Sequence, residues 1–278
     1  MRILAIVITY YPVKELMEKN VSAFIDDVNK VLIWENTPES DKLKYRFIEH
    51  EKVEYCGDGI NSISHGLNYG WHYAKNGGYD YLLTMDQDSI LINFAAMKEY
   101  VKSHIYERII IGPSLNMDDI QFASVNNDII EAKKVDTLIT SGSLFYVVTL
   151  NELEGWDENL IIDGVDTDLI LRADSKGIYA YQVKNCNLRQ RFGEPQVGRF
   201  LGKRHEFSIY SSNRLKSILR AHIYLIRKYK SMSSVTRKYI IRHYIKEKMI
   251  EIILFENHKV SKLAAMLIGI YQGFKLKV

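Results

Sequence analysis

The chain has 278 residues, 47% of them hydrophobic, with a formal charge of +3 and two cysteines, Cys56 and Cys186. This is ample for one substantial core with a smaller appended element, and it excludes a disulfide framework or a cysteine metal cluster. The charge is uneven: residues 199–278 carry 18 Lys/Arg against 4 Asp/Glu, a net of +14, and residues 1–198 carry 19 against 30, a net of −11. A basic tail suits nucleic acid, anionic lipid or an acidic region of its own body, but nucleic acid would need a basic groove on the body, which is acidic.

Ile3–Thr9 is a continuous β-prone run and predicts a central strand covered on both faces; it is too short for a signal peptide or a membrane span. Val13–Phe24 has helical spacing, and Val31–Trp34 predicts a second strand before the polar loop Glu35-Asn36-Thr37-Pro38. Tyr45–Tyr55 is read as a helix end and a short third strand, followed by the turn cluster Gly57-Asp58-Gly59. Ser62–Lys75 predicts a helix and Tyr79–Thr84 a fourth strand. This alternation argues for an α/β layer around a mostly parallel sheet, with helices on both faces. Ile90–His104 reads as another helix, Ile109–Pro113 as a strand, and Leu115–Lys134 as a hairpin or loop insertion. Leu144–Val148 is a short β run, Asn151–Trp156 a turn or helical turn, Val165–Lys176 a helix and Ile178–Val183 a strand. Tyr210–Leu254 reads as one or two long helices, both apolar and basic, and Val260–Tyr271 as a short apolar helix. The division expected is residues 1–202 as the main domain and 203–278 as a basic helical extension.

Tyr81–Thr84 runs into Met85-Asp86-Gln87-Asp88-Ser89, two carboxylates one residue apart. A strand ending in D-x-D places both acids at the carboxyl edge of the sheet, where open α/β sheets bind ligands. Oxygen ligands there suit a hard cation, and such a cation suits a diphosphate. Asp88, further past the strand end, is the better direct ligand; Asp86 is placed to contact ribose or to reach the metal through water. The bland alternative is a solvent-facing turn. A second acidic cluster, Asp163, Asp166 and Asp168, spans a helix start. Capping and dipole complementarity explain one of these acids, and the excess suggests a general base that takes a proton from an acceptor hydroxyl. Arg172, four residues after Asp168, is either an i,i+4 ion-pair partner or a group that orients the acids or touches phosphate. Gly142, in Thr140-Ser141-Gly142-Ser143, marks either a tight turn or a close ligand approach. Trp156 either stacks on a sugar or fills the core.

Taken in order, Val7-Ile8-Thr9-Tyr10, Glu35-Asn36-Thr37, Asp58-Gly59-Ile60, Asp86-Gln87-Asp88-Ser89, Gly142, Gly155-Trp156-Asp157-Glu158 and Ile162-Asp163-Gly164-Val165-Asp166 make a pattern. It resembles inverting family 2 glycosyltransferases of the GT-A fold, in particular the bacterial rhamnosyltransferase subgroup of polysaccharide synthesis. The resemblance covers residues 3–195, with a weaker similarity at Tyr210–Arg214 and at Gly269 and Gly273. It implies that Thr9, Tyr10, Tyr11, Glu35, Asp58 and Asp86 line the donor site. It also implies that Asp88 holds Mg²⁺ or Mn²⁺ with Asp86 beside it, and that Asp166 is the catalytic base. Asp163, Asp168, Arg172, Trp156 and Gly142 would then support the base or the acceptor. The implied reaction is a single displacement with inversion, from dTDP-L-rhamnose to a lipid-linked or polymeric glycan. There are departures: Tyr11 stands where many members have Asn, Trp34-Glu35-Asn36 replaces Val-Asp-Asn, and Gln190 stands where many carry a His that completes the metal site. They leave UDP-galactofuranose, UDP-galactose or UDP-glucose as alternative donors and imply a more weakly bound ion.

The amphipathic basic tail fits an anionic membrane surface or a homodimer contact, and the expected location is cytoplasmic, peripheral on the inner leaflet of a bacterial plasma membrane. A nucleotidyltransferase would carry a Gly-rich phosphate loop with a basic residue near its N-terminus, which Tyr10-Tyr11-Pro12-Val13 does not supply. A non-catalytic sugar-nucleotide- or carbohydrate-binding protein is the remaining alternative.

Overall fold

The computed structural model describes residues 1–104, 108–115, 131–190, 196–200, 203–229 and 234–278. They form two compact units, one of Met1–Glu158 with Val165–Arg191 and the other of Asn159–Gly164 with Phe192–Val278.

The first unit begins with β1 (Ile3–Thr9), α1 (Lys14–Ser22), β2 (Lys30–Glu35), β3 (Val53–Cys56), α2 (Ile63–Asn76) and β4 (Tyr81–Asp86). These four strands lie parallel in the order β3-β2-β1-β4. The unit continues with β5 (Ile90–Ile92), α3 (Phe94–Ser103), β6 (Ile109–Leu115), β7 (Ala132–Val135), β8 (Ser143–Tyr146), α4 (Val147–Leu153), α5 (Val165–Ser175) and β9 (Tyr179–Arg189). The sheet extends as β4-β8-β6-β9-β5, with β7 also on β9. β8 runs antiparallel to both β4 and β6, and β5 and β7 run antiparallel to β9; only β6 with β9 is parallel in this half. The expectation of a mostly parallel sheet is therefore corrected: the nine described strands form a mixed sheet. Only the first half is built from strand–helix–strand crossovers, which impose parallel neighbours.

Successive side chains of β1 point to opposite faces. Ile3, Ala5 and Val7 join Met17 and Val21 of α1 and Phe94, Met97 and Val101 of α3 in one buried cluster. On the opposite face, Ile6 lies against Gly70 of α2, where a Cβ would come within 2.6 Å of the Ile6 Cδ1. The helices thus cover both faces. The Ser62 side chain caps α2 by accepting from the His65 backbone N–H.

Two local readings change. Ile90–His104 is not one helix: Ile90–Ile92 pairs antiparallel with Asn187–Arg189, and Asn93, at φ 58°, breaks the run before α3 begins. Three residues with β-prone side chains take the strand form because β9 offers an unpaired edge there. Val147 and Val148 do not extend β8: Tyr146 pairs with Tyr81, the first residue of β4, so no ladder remains beyond it and α4 starts instead. Of the expected insertion Leu115–Lys134, residues 116–130 lie outside the described residues, and Ala132–Val135 is a strand.

The second unit holds the hairpin of β10 (Gln196–Phe200) and β11 (Lys203–Phe207), which had no counterpart in the sequence reading. It is followed by α6 (Ser212–Lys228), α7 (Ser234–Ile240), a π-helical stretch Ile241–Glu247, α8 (Lys248–Phe255) and α9 (Lys259–Lys275). Leu215, Ile218 and Leu219 of α6 pack with Ile252 of α8 and Met266 of α9. Glu256 is fully buried and accepts from Lys248 at 2.7 Å and from Lys262, so its charge is matched inside the core.

Candidate active site

The parallel register brings the sequence motifs to one sheet edge. Ile8 lies beside Asp86 and Trp34, and Trp34 beside Cys56, so β3 and β4 end level; β1 and β2 run one residue further, to the pair Thr9 and Glu35. Asp86 and Asp88 therefore leave β4 at the carboxyl edge.

The turn they sit on is held from below. The Asn20 side chain donates to the Asp86 carbonyl at 2.6 Å and to the Ser89 carbonyl. The Asp86 backbone N–H donates to the Ser141 hydroxyl at 3.0 Å, and Ser141 donates to the Ser89 hydroxyl at 3.0 Å. Gly142, next to Ser141, has φ 76°, and a Cβ there would lie 2.8 Å from Pro113 Cγ. The residue is thus required by the turn that presents Ser141. Gln87, between the two acids, accepts from the Tyr10 N–H at 2.6 Å and donates to the Tyr10 carbonyl at 3.1 Å, fastening the β1 exit to the D-x-D turn.

Asp86, Asp88 and Asp166 form an electrostatic group although 80 residues separate Asp86 from Asp166. Burial lifts the Asp86 carboxyl from 3.8 to about 6, with the negative charges of Asp88 and Asp166 adding to it. Burial also raises Asp88 and Asp166, although the Thr167 N–H, donating to Asp166 at 2.8 Å, works against the rise at Asp166. Among the described residues, no cation contributes to any of these shifts. Gln190 donates from Nε2 to Asp86 Oδ2 at 2.9 Å, and its Oε1 is buried without a hydrogen-bond partner among the described residues. Surplus negative charge beside an orphaned acceptor fits a hard cation. No group of three or more His, Cys, Asp or Glu suited to a metal occurs among the described residues, so a bound ion would rest on two carboxylates, the Gln190 oxygen and its own ligands.

The other residues expected at the donor side divide. Tyr10 and Tyr11 are exposed, and Tyr11 meets Tyr45 edge-on at 5.6 Å, so an aromatic surface stands at the β1 exit. Thr9 is buried and its hydroxyl donates to the Trp34 carbonyl at 3.0 Å. Glu35 is buried, and both its oxygens accept from Arg46, at 3.1 and 2.7 Å. Asp58 pairs with His65 at 2.7 Å, and His65 pairs in turn with Glu158 at 3.0 Å. Asn68 holds the same loop, donating to the Trp156 carbonyl and to Glu158 at 2.9 Å each.

In the second acidic cluster the acids have separate surroundings. Asp168 is fully buried and accepts from Arg172 at 2.8 Å; Arg172 also donates to the carbonyls of Leu153 and Gly155, tying α5 to the end of α4. This is the ion-pair alternative for Arg172. Trp156 is buried with its ring edge-on to Phe145 at 5.3 Å, the core-filling alternative. Asp163 belongs to the second unit, where it accepts from Arg214 at 2.9 Å. Asn20, Ser141 and Gln87 were not singled out as site residues. Asn20 had a legible signal, a polar residue beside Met17 and Val21 on the apolar stripe of α1.

No family model and no curated protein matches the sequence. Solved structures do match in fold. The crystal structure of GalNAc-T7 with UDP, GalNAc and Mn²⁺ superposes with a TM-score of 0.59 at 11% identity, over 92% of this chain and 58% of that one. The chain thus spans less than two thirds of the GalNAc-T7 chain. S. aureus TarS 1–349 superposes with a TM-score of 0.53 at 10% identity, over 99% of this chain and 81% of that one. The same TarS fragment in complex with UDP-GlcNAc gives 0.51 at 10% identity, over 95% and 79%. At these identities the likeness is one of fold: the chain carries an α/β fold of the kind found in these nucleotide-sugar-associated proteins, with a mixed sheet.

Proposed function

We propose that the chain is a GT-A-type inverting glycosyltransferase that moves a sugar from a nucleoside-diphosphate donor to a glycan hydroxyl. The observation that carries this reading is the convergence of Asp166 with Asp86 and Asp88 at the carboxyl edge of β4. One motif suits diphosphate departure and the other suits deprotonation of an attacking hydroxyl, and the reading is supported by the charge of Asp166 acting on Asp86. Asp166 would accept the acceptor's proton as its oxygen bonds to the anomeric carbon and the nucleoside diphosphate leaves from the opposite face. Burial of Asp166 raises its proton affinity, which favours that role. Asp88 and Asp86, with the Gln190 amide oxygen, would hold Mg²⁺ or Mn²⁺; when bound, the ion offsets negative charge on the departing diphosphate. Tyr10 and Tyr11 offer an aromatic surface for the base, with Asp58 on the loop after β3, two strands away.

The neighbours bound to UDP and to UDP-GlcNAc favour the UDP-sugar alternative over dTDP-L-rhamnose. The acceptor is read as a lipid-linked or polymeric glycan from the sequence resemblance alone. Asp166→Asn tests the reaction: it should abolish sugar transfer from a UDP-sugar with Mn²⁺ while titration calorimetry still detects the donor. Full transfer by the folded variant would exclude Asp166 as the base. A thermal-shift screen of UDP-sugars and dTDP-L-rhamnose, with and without Mn²⁺, assigns the donor, because a ligand bound to the folded state raises the melting temperature by mass action.

A further inference from the structure

Helix α9 is apolar on two sides. One side seats against α6: a Cβ at Gly269 would lie 2.5 Å from the Lys216 carbonyl oxygen, and one at Gly273 would lie 2.7 Å from that of Arg220. Ala265 and Met266 are buried on this side, and Met266 belongs to the unit's core. The other side is bare. Val260, Leu267, Tyr271 and Phe274 are 83%, 69%, 59% and 57% exposed, and their spacing holds them on one helix face. An apolar stripe of this length on a helix already packed along its other side calls for a cover.

Charge selects the cover. Helix α9 contains no Asp or Glu; Lys259 opens it, Lys275 closes it and Lys277 follows. From residue 208 onward the chain has 15 Lys/Arg and 3 Asp/Glu. Each of those three acids is already paired within the unit: Glu247 with Arg242 and His243, Glu251 with Lys248, and Glu256 with Lys248 and Lys262. The surplus is therefore wholly positive. A second copy set face to face would press lysine against lysine, whereas an anionic surface neutralises them. Among the described residues no helix is long and apolar enough to cross a membrane, so the geometry is that of a helix lying on one. Tyr271, with the Lys275 ammonium 4.7 Å from its ring centre, has the aromatic–cationic character of an interfacial anchor.

We propose that the outer face of α9 inserts into the headgroup boundary of an anionic lipid bilayer, with Val260, Leu267, Tyr271 and Phe274 as its apolar contacts. This does not depend on the sugar-transfer reading. The test is flotation of the full chain with vesicles of phosphatidylcholine containing about a third phosphatidylglycerol, beside pure phosphatidylcholine. The expected result is at least about tenfold stronger binding to the anionic vesicles, weakened by salt. Leu267→Glu/Phe274→Glu should reduce that binding at least about tenfold. Its circular dichroism and melting temperature should match the parent's, because both side chains face solvent. Val260→Ser/Tyr271→Ser is the milder second variant and should weaken binding in the same sense. Absence of binding to anionic vesicles, or equal flotation of parent and both variants, overturns the proposal. So does a parent dimer in sedimentation analysis that Leu267→Glu/Phe274→Glu dissolves, which would make a second copy the cover.

Discussion

Replacing Asp86 by Asn should stabilise the metal-free protein at neutral pH, although Asp86 stands at the centre of the candidate site. The change removes a charge and keeps the shape. Asn can still accept from Gln190 Nε2, and the Asp86 backbone bonds to Ser141 and Asn20 do not involve the side chain. Burial, with Asp88 and Asp166 adding, moves the carboxyl from 3.8 to about 6. At about 1.4 kcal/mol for each pH unit between the two values, the ionised group costs the fold up to about 3 kcal/mol. The sign follows from proton binding. Between these two values the native state holds the proton and the unfolded state has released it, so stability falls as pH rises through that window. Below it both states are protonated and the parent loses nothing. Urea unfolding of parent and Asp86→Asn, in chelator and at a series of pH values, should show a gap near zero at about pH 3.5 that widens to at most about 3 kcal/mol by about pH 7. A gap that does not change with pH, or an Asn variant less stable at neutral pH, would refute the reasoning.

Three further outcomes follow from other contacts. Arg172→Ala removes the guanidinium from the fully buried Asp168 and from two carbonyls at the end of α4; it should cost about 3–5 kcal/mol in urea unfolding, and a loss under about 1 kcal/mol would show that the pair is dispensable. Gly269→Leu would put a Cβ 2.5 Å from the Lys216 carbonyl oxygen and should destabilise the protein by about 1–3 kcal/mol or lift the helix, read as faster amide exchange in α9. For His65, burial alone would lower the pKa, but its contacts with Asp58 and Glu158 win and raise it above 6.5. The ion pairs therefore contribute below 6.5 and are lost as pH climbs through the raised value, so His65→Ala should cost more stability at about pH 5.5 than at about pH 9, and equal losses would remove the charged pairing.

Much of the site was legible because its signals are local. A β-prone run ending in Met85-Asp86-Gln87-Asp88 places its acids by strand geometry alone, and β4 ends at Asp86. Ser62 before an apolar periodicity announces α2, and the continuous β-prone run Ile3–Thr9 announces a strand buried on both faces. Partner-dependent features were not legible. Ile90–Ile92 and Phe94–Ser103 read as a single helix until β9 supplies an edge. Val147 and Val148 read as strand until β4 has no ladder left to offer. Asp168 and Arg172 carried two readings each, and only burial separates an ion pair from a reactive group.

The sequence by itself determined the alternation of strands and helices in the first half of the chain, the strand-end position of the D-x-D acids and the basic, apolar character of the last 80 residues. Each rests on side-chain periodicity or composition within a short window. The tertiary structure alone decided that the sheet is mixed, that Asp166 shares its field with Asp86 and Asp88, that Arg46 occupies Glu35, and which face of α9 stays bare. Those outcomes depend on residues far apart in the chain, whose pairing is set by strand order and helix packing and leaves no mark in any local pattern.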